Sequence, residues 1–320
     1  MMNQTNRSVQ SKTQSSNSFP IISLLMVTYN RPQWIDRAIN SILEQTFQDF
    51  EIIIINNGSG SATYDALKKY EDHPKIRIYH LKENRMYAGG FNYGLDKIRG
   101  EWFCELSDDD FLYPNCFETL LSIPNKIDKK IDAVTCNGHD TATDDFSGTG
   151  FSQSQFLSVK EIVQKAGGDF WGITKSKLIG NKRLNEKIRG LENTFWYQID
   201  EIAHRYYLHE QLMTYCMDHG MNETTQQKKE KNPKAKADFY NGLLEESPYW
   251  RILRENDRTQ YFDKCLKGFF FQKINGNQDG MNGYKNLIRV GRPSFKIKSI
   301  VSLVSLLPSG LLRVYFLRSK

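Results

Sequence analysis

Two uninterrupted apolar segments near the start of the chain constrain its fold more than any other feature. Residues 21–29 read IISLLMVTY and residues 51–55 read EIIII. Strands without apolar–polar alternation are buried on both faces, as in a parallel sheet that helices cover on each side. Residues 32–45 lie between them, with apolar side chains at helical spacing and a proline in the first turn. The chain therefore opens with a strand–helix–strand unit, which indicates the α/β fold class.

The alternation of strands and helices continues along the chain. The first half predicts a helix at 63–70, a strand at 76–80, a helix from 88 or 89 to 98 and a strand at 102–106. The second half predicts a strand at 133–136, a helix at 159–166, a strand at 170–174, an amphipathic helix at 194–207 and mostly helix over 238–271. Ligands of such sheets bind outside the carboxyl ends of the strands, so polar residues there are the first site candidates.

Composition divides the chain into four segments. Residues 1–19 are polar and rich in Ser, Gln and Asn, which predicts a disordered leader. We assign residues 20–225 to the α/β domain, residues 226–237 to a lysine-rich loop and residues 238–320 to a helical C-terminal region.

The bulk numbers narrow the class of protein. At 320 residues the chain can bury an enzyme-sized core. The net charge of +6 is small, so a nucleic-acid partner is not implied. The 5 cysteines are far apart, and the N-terminus shows no secretory signal. A reduced, cytoplasmic setting fits these features best.

The segment with the clearest chemistry is the aspartate triplet Asp108, Asp109 and Asp110, which directly follows the predicted strand at 102–106. Adjacent carboxylates at a strand end repel one another, and a divalent cation or bound ligand would neutralise them. Oxygen ligands suit Mg²⁺ or Mn²⁺. The alternative is an acidic helix start, in which Ser107 or an aspartate caps a helix that opens near Tyr113.

Two further polar segments follow predicted strands, at Thr28, Tyr29 and Asn30 and at residues 56–59, which read NNGS. The second segment also fits a simple turn, because Asn and Gly tolerate positive φ. Residues 84–94 contain several glycines, but their order, GGFNYG, lacks the dinucleotide-binding pattern. Small residues at a helix start instead let backbone N–H groups approach a phosphate-bearing ligand, or permit tight packing of the helix on the sheet.

Four segments, taken together, resemble the family 2 glycosyltransferases, which are inverting enzymes with the GT-A nucleotide-sugar-binding fold. They are VTYNRP at 27–32, AINSILEQTFQDFEIIIINNGS at 38–59, ENRMYAGGFNYGL at 83–95 and SDDDFLYP at 107–114. The resemblance is strong over residues 21–114 and continues weakly to about residue 219. It implies a GT-A sheet flanked by helices.

The resemblance also implies a donor site. It assigns nucleotide-sugar binding to Thr28, Tyr29, Asn30, Asn57, Asn84, Arg85, Gly89 and Asp108. It assigns a Mn²⁺ or Mg²⁺ ion to Asp109 with Asp110 beside it, and suggests His219 as a further ligand. The family usually has aspartate where this chain has Asn56 and Asn57, so UDP and dTDP donors both stay open.

An inverting transfer needs a carboxylate that takes the proton of the acceptor hydroxyl. The family supplies it from an acidic pair at a helix start, and the matching residues here are Glu192 and Asn193. Glu192 is therefore the candidate base, and Asp140 is a weaker one. The alternative is that Glu192 only complements the dipole of the following helix. His204 and His209 are expected in or near a tyrosine-rich helix, as packing or surface residues.

Residues 297–317, IKSIVSLVSLLPSGLLRVYFL, are apolar but contain a lysine, a proline and an arginine. They predict two short interfacial helices that attach the protein peripherally to the inner face of the cell membrane, where basic flanks meet anionic lipid. A core or dimer helix is the alternative. Membrane attachment would suit a glycan acceptor carried on a polyprenyl lipid.

These features predict a metal-dependent enzyme that transfers a hexose from a nucleoside diphosphate sugar to a glycan hydroxyl in bacterial surface polysaccharide synthesis. A non-catalytic relative that binds nucleotide sugar or carbohydrate is the alternative, since asparagines replace acids at 56, 57 and 193. A nucleotidyltransferase would need a glycine-rich, basic loop after the first strand, which NRPQW at 30–34 does not provide.

Overall fold

A computed structural model describes residues 19–187, 190, 192–217 and 232–318. Residues 1–18 of the predicted leader, residues 226–231 of the predicted lysine-rich loop and His219 lie outside the described residues. The predicted α/β class is confirmed, because a large, mostly parallel sheet lies between helices.

The strands and helices follow one another in chain order. The strands are β1 Ile22–Thr28, β2 Phe50–Asn57, β3 Ile76–Leu81, β4 Trp102–Glu105, β5 Phe111–Leu112, β6 Ala133–Asp140, β7 Asp145–Phe146, β8 Gly148–Thr149, β9 Gln155–Leu157, β10 Gly167–Gly168, β11 Phe170–Lys175 and β12 Arg205–Tyr215. The helices are α1 Pro32–Leu43, α2 Ser61–Lys68, α3 Met86–Leu95, α4 Cys116–Lys126, α5 Val159–Lys165, α6 Glu192–Asp200, α7 Pro233–Leu243, α8 Ser247–Asn256, α9 Arg258–Ile274, α10 Gln278–Val290, α11 Phe295–Leu306 and α12 Ser309–Arg318.

The sheet has the order β3-β2-β1-β4-β11-β6-β12-β5, with β7 beside β6 and β9 beside β12. β1 pairs in parallel with β2 and β4, and β2 pairs in parallel with β3. β11 runs antiparallel to β4 and β6. The carboxyl ends of β2, β1 and β4 therefore lie side by side at one edge of the sheet.

Both faces of the first strands are buried, as the apolar sequence predicts. Leu24 and Met26 of β1 pack on one face in a core that includes α1 and α4. Leu25 packs on the other face with Phe91 of α3 and Phe195 of α6. Burial on two faces fixes the direction of each side chain, because a slip of one residue would exchange the faces.

The predicted helix at 194–207 is wrong in its second half. Helix α6 ends at Asp200, and β12 begins at Arg205. β12 pairs with β6, β5 and β9, so its backbone groups are satisfied across the sheet and not along a helix. His209 consequently lies in a strand, and its ring stacks on Phe146 with the centroids 4.7 Å apart.

The C-terminal helices form their own aromatic core, in which Trp250, Tyr261 and Tyr284 are buried. This region also supports α6. Tyr249 stacks on Tyr197 of α6 with the ring centroids 6.0 Å apart. Arg251 binds the carboxylate of Glu201, directly after α6, with both N–O distances at 2.6 Å. The helical region thereby holds the helix that begins with Glu192.

Helices α11 and α12 meet at a bend of 109°. Phe316 packs on Phe271 of α9 with the ring centroids 5.1 Å apart, and Lys273 donates a hydrogen bond to the Ser305 carbonyl at 3.0 Å. Within the part of the chain that the structure describes, no single helix is long and apolar enough to cross a membrane.

Candidate active site

The aspartate triplet lies directly after β4, at the edge where β1 and β2 also end. Asp108, Asp109 and Asp110 are only 3%, 5% and 4% exposed. Three carboxylates are almost never buried together unless cations or hydrogen-bond donors compensate them. This clustering makes the triplet the centre of the candidate site.

Arg31, which precedes α1, is the cation that meets the triplet in the described structure. Its Nη1 lies 3.1 Å from Asp108 Oδ1 and 2.9 Å from Asp109 Oδ2. The Arg31 side chain is 24% exposed, whereas those of Asp108 and Asp109 are 4% and 8% exposed. The side chain of Arg37 in α1 donates to the main-chain oxygen of Asp109. Two arginines thus hold the turn that carries the aspartates.

The triplet is not a helix cap, so the alternative of an acidic helix start is wrong. Strand β5 follows the aspartates, and α4 begins only at Cys116. Asp110 Oδ1 instead accepts a hydrogen bond from the Cys216 N–H at 2.8 Å, beyond the end of β12. Pairing of β5 with β12 brings these distant residues together.

Burial dominates the electrostatics of the triplet. It raises the pKa of Asp108 to about 6, although Arg31 acts in the opposite direction. Burial raises the pKa of Asp110 to about 8; the Cys216 hydrogen bond opposes this, and the charge of Asp109 adds to it. The site therefore holds negative charge at a cost that a bound cation would reduce.

The chemistry of these residues fits a divalent cation of the Mg²⁺ or Mn²⁺ type. The available ligands are carboxylate oxygens, and such a cation typically takes one or two carboxylates while substrate phosphates and water complete its coordination. Asp108 Oδ2 is buried and has no hydrogen-bond partner among the described residues. No group of three or more His, Cys, Asp or Glu side chains that could hold a metal occurs in the described ranges. The predicted ligand His219 lies outside those ranges.

The residues after β1 line the same edge. Thr28 is 1% exposed, and its side chain lowers the pKa of the Asp108 carboxyl group, against the effect of burial. Tyr29 is 43% exposed. Asn30 adopts a positive φ of 54°, and its Oδ1 accepts from the Gly60 N–H at 2.8 Å. Asn30 thus ties the end of β1 to the start of α2, between Thr28 and the solvent.

The side chain of Asn57, at the end of β2, forms hydrogen bonds with the segment at the start of α3. Its Oδ1 accepts from the Arg85 N–H at 3.0 Å, and its Nδ2 donates to Asn84 Oδ1 at 3.2 Å and to the Met86 carbonyl at 2.8 Å. Gly58 has a φ of 72°, so the turn expected from its sequence is present. Direct contacts of Asn57 and Asn84 with a nucleoside stay predictions.

The glycines of α3 permit close packing on the sheet. A Cβ on Gly90 would lie 2.7 Å from Val27 Cγ1, and one on Gly94 would lie 2.2 Å from Leu25 Cδ1. At Gly89 a Cβ would meet the side chains of Arg85 and Glu186, which form an ion pair at 2.8 Å. Close approach brings the N-terminus of α3 to the carboxyl edge. Donor binding by Arg85 and Gly89 stays a prediction.

Glu192 is the first residue of α6, so its charge does complement the helix dipole. It also faces a carboxylate that the sequence does not single out, Glu105 at the end of β4. Burial raises the pKa of Glu105 to about 7; the Tyr87 hydroxyl, which donates to Glu105 Oε2, opposes this, and the Glu192 charge adds to it. Asp140 is a weaker candidate, because its Oδ1 accepts from the Ala142 N–H in a local turn at 2.8 Å.

Sequence reasoning missed Arg31 and Glu105 as site residues. Arg31 belongs to the VTYNRP segment, but its distance along the chain from the triplet does not predict that it pairs with Asp108 and Asp109. Glu105 is hidden within an apolar run of strand length. Only the adjacency of β1 and β4 brings both residues to the carboxyl edge.

The fold and the acidic edge define a class of protein, the GT-A nucleotide-sugar enzymes. The TarS protein of S. aureus, solved with UDP-GlcNAc, superposes with a TM-score of 0.62 at 14% identity, over 92% of this chain and 88% of that one. A mannosyltransferase from Pyrobaculum calidifontis, solved with GDP-Man and Mn²⁺, gives a TM-score of 0.50 at 12% identity, over 94% and 86% of the two chains. These similarities support the predicted fold.

The chain belongs to the family 2 glycosyltransferases. The model of the family described as glycosyl transferase family 2 matches residues 23–197, more than half of the chain. The predicted family is therefore confirmed, together with the transferase class that it implies.

Two curated relatives cover parts of the chain. A Campylobacter jejuni protein named GalNAc(5)-diNAcBac-PP-undecaprenol beta-1,3-glucosyltransferase is 30% identical over 201 residues, which are 61% of this chain and 64% of the relative. An uncharacterized glycosyltransferase of Rickettsia typhi is 39% identical over 117 residues, 37% of this chain and 36% of the relative. The chain thus spans less than two thirds of either relative.

Proposed function

We propose that this protein transfers a hexose from a nucleoside diphosphate sugar to a hydroxyl group of a glycan acceptor, with inversion and with the help of a divalent cation. The observation that supports this most is the buried aspartate triplet at the carboxyl edge of a GT-A sheet. Buried carboxyl groups with raised pKa values, as at Asp108 and Asp110, are typical of a site that a ligand completes.

The donor would bind at the ends of β1 and β2. The exposed Tyr29 ring suits a base, and Asp108 Oδ2, beside the Thr28 side chain, offers an acceptor to a ribose hydroxyl. The N-terminus of α3, with Gly89, gives N–H groups to a negatively charged phosphate. A uridine or thymidine diphosphate sugar is our proposed donor. The UDP-GlcNAc found with TarS supports the uridine form.

Asp109 and Asp110 would hold Mn²⁺ or Mg²⁺. Such a cation would supply positive charge to the diphosphate and so stabilise the negative charge that develops on the leaving nucleoside diphosphate. In its absence Arg31 supplies a positive charge to Asp109 at 2.9 Å. His219 remains a proposed third ligand.

Glu192 would accept the proton of the acceptor hydroxyl. It begins α6, which the C-terminal helices brace through Tyr249 and Arg251. A base must keep its position while the acceptor hydroxyl and the anomeric carbon approach each other, and a helix supported from outside the sheet provides that rigidity.

The acceptor would be a polyprenyl-linked glycan at the inner face of the cell membrane, used for bacterial surface polysaccharide. The Campylobacter relative supports this, because its name gives an undecaprenol-linked acceptor. The exposed apolar residues of α11 and α12 support a membrane location. Exposed lysines and arginines flank them and would meet anionic lipid: Lys296, Lys298, Arg313 and Arg318.

A thermal-shift screen with UDP-glucose, UDP-GlcNAc, dTDP-glucose and GDP-mannose, each with Mn²⁺ or with EDTA, tests the donor. A ligand raises the melting temperature only if it binds the native protein. We expect a shift with a UDP or dTDP sugar that depends on Mn²⁺. No shift with any of the four would contradict the donor site.

Glu192→Gln then separates an enzyme from a non-catalytic relative. We expect this variant to keep the donor-induced shift and to lose nucleotide release by about 10²- to 10⁴-fold, the usual contribution of a general base. Wild-type protein that binds the donor but never turns it over with lipid-linked acceptor would favour the non-catalytic relative.

A further inference from the structure

Glu105 lies on the face of β4 that is directed toward α3 and α6. Side chains alternate along a strand, so Glu105 shares its face with Phe103. The Phe103 ring lies 6.1 Å from that of Phe91 in α3 and 6.5 Å from that of Trp196 in α6. Glu105 therefore follows an aromatic contact that joins β4 to both helices.

Hydrogen bonds fix the position of Glu105. The Tyr87 hydroxyl donates to its Oε2, and the Tyr87 ring stacks on Phe91 with the centroids 5.6 Å apart. The main-chain oxygen of Glu105 accepts from Trp171 Nε1 at 2.5 Å. Glu105 is half-buried and Tyr87 is 39% exposed, so neither residue is sealed in the core.

Charged and titratable groups approach Glu105 from each element packed on it. Tyr87 comes from α3 and Glu192 from α6, while Cys104 is its neighbour in β4. Glu192 lies one turn before Trp196, on the face of α6 that stacks on Phe103, and the Tyr87 hydroxyl donates to Glu105. Burial raises the pKa of Tyr87, and the carboxylates of Glu105 and Glu192 raise it further. The charge of Glu192 raises the pKa of Glu105, so each carboxylate favours a proton on the other.

We propose that Glu105 is a positioning residue of the acceptor site, which acts with Glu192 as one proton-accepting pair held by Tyr87. This inference rests on the proposed function. As the acceptor oxygen bonds to the anomeric carbon, its O–H bond breaks and the proton passes to Glu192. The bond from the anomeric carbon to the phosphate oxygen breaks, and its electron pair leaves with the nucleoside diphosphate. The negative charge of Glu105 stabilises the proton that Glu192 has taken up.

The test measures nucleotide release by hydrolysis, in which water replaces the acceptor. It uses the full chain, Mn²⁺ and whichever of UDP-glucose, UDP-GlcNAc and dTDP-glucose gives the largest thermal shift. In Glu105→Gln the amide oxygen still accepts from Tyr87. We expect kcat to fall about 10- to 100-fold and the acidic limb of its pH profile to change, with the donor KM altered by less than about threefold.

The matched control is Glu101→Gln at the opposite end of the strand, where Glu101 pairs with Lys175. We expect this variant to behave as wild type.

Tyr87→Phe is a second variant, which keeps the Glu105 carboxyl group. Removal of the hydroxyl takes away the hydrogen bond that lowers the pKa of Glu105, so the acidic limb of the kcat profile should move to higher pH. A structural role alone would leave that limb in place.

The outcomes separate this inference from the proposed function. Wild-type kcat at every pH in Glu105→Gln, or an unmoved acidic limb in a folded Tyr87→Phe, would overturn the role of Glu105 while Glu192→Gln still loses activity. Loss of the donor-induced thermal shift in Glu105→Gln would also overturn it, because the residue would then belong to the donor site. Wild-type protein that releases no nucleotide from any of the three donors would overturn the proposed function and this inference together.

Discussion

The carboxyl edge of the sheet buries charged side chains, whereas the two last helices expose apolar ones. Both arrangements are the opposite of what a soluble protein usually shows. At the edge, three adjacent aspartates are each at most 5% exposed. In the last helices, Phe295 is 85% exposed and Leu306 is 84% exposed. Buried charge costs free energy unless it is paired, and exposed apolar surface costs free energy unless it is covered.

The difference indicates two kinds of missing partner. At the edge, the buried carboxylates need compensating positive charge, and Arg31 supplies part of it. At the last helices, exposed apolar side chains lack a covering surface, and basic residues lie beside them. A charged, phosphate-bearing donor with its cation would compensate the first surface, and an anionic lipid bilayer the second. Each assignment can be tested without disturbing the other.

The largest expected effect is that of Asp109→Asn. Loss of this carboxylate should reduce nucleotide release by at least about 10³-fold, because cation binding and charge stabilisation in the transition state both depend on it. The melting temperature should change little, since Arg31 keeps its ion pair with Asp108 and the repulsion that Asp109 exerts on Asp108 and Asp110 is removed. Kinetics and thermal melts check both points. Asp144→Asn, at a side chain 94% exposed, is the control. An Asp109→Asn variant with more than a tenth of wild-type activity would contradict the assignment of the edge.

Next in size is the effect of Arg31→Gln on stability. We expect the free energy of unfolding to fall by about 2 to 4 kcal/mol without metal, because two buried carboxylates lose their cation. Added Mn²⁺ should restore part of it. Urea unfolding with and without Mn²⁺ gives the measurement. Lys69→Gln removes an exposed ion pair with Asp36, where both side chains are about half exposed; its cost should stay below about 1 kcal/mol. If Arg31→Gln and Lys69→Gln lowered the free energy of unfolding equally, the ion pairs at the edge would be no stronger than an exposed one.

The pH dependence of stability should report the same buried charge. The pKa of Asp110 is raised to about 8 and that of Asp108 to about 6, so the folded state favours their protonated forms. Their contribution is full below the ordinary carboxyl pKa of about 4 and is lost as the pH rises toward about 8. Urea midpoints of the metal-free protein should decrease over this range, and Asp110→Asn should flatten the upper part. An unchanged slope in Asp110→Asn would argue against the raised pKa.

The smallest effect on stability, but a clear one on binding, should come from the last helices. Phe295→Asp combined with Leu306→Asp should reduce sedimentation with phosphatidylglycerol vesicles about tenfold or more, because apolar area and charge both oppose insertion. The free energy of unfolding should change by less than about 0.5 kcal/mol, as for other surface positions. Ile202→Asp changes an exposed apolar residue elsewhere and is the control. Vesicle binding that is equal in all three proteins would exclude this surface as the membrane contact.

Sequence reasoning performed differently on the two regions. It located β1, β2 and β4 and the polar residues that end them, because burial on two faces leaves an unambiguous apolar run. It failed at β12, where alternating aromatic and polar residues also fit a helical stripe and only pairing with β6, β5 and β9 decides between them. It divided the last apolar segment correctly at Pro308 into two helices.

The sequence by itself determined the order of strands and helices from β1 to β4 and the presence of acids, asparagines and glycines at the strand ends, since periodicity and burial are local properties. Tertiary structure alone decided which groups meet. Arg31 reaches Asp109 across 78 residues, and Cys216 reaches Asp110 across 106. Pairing of Glu105 with Tyr87 likewise depends on the packing of α3 against β4. The physical reason is that charge compensation acts through space, whereas the sequence records only distance along the chain.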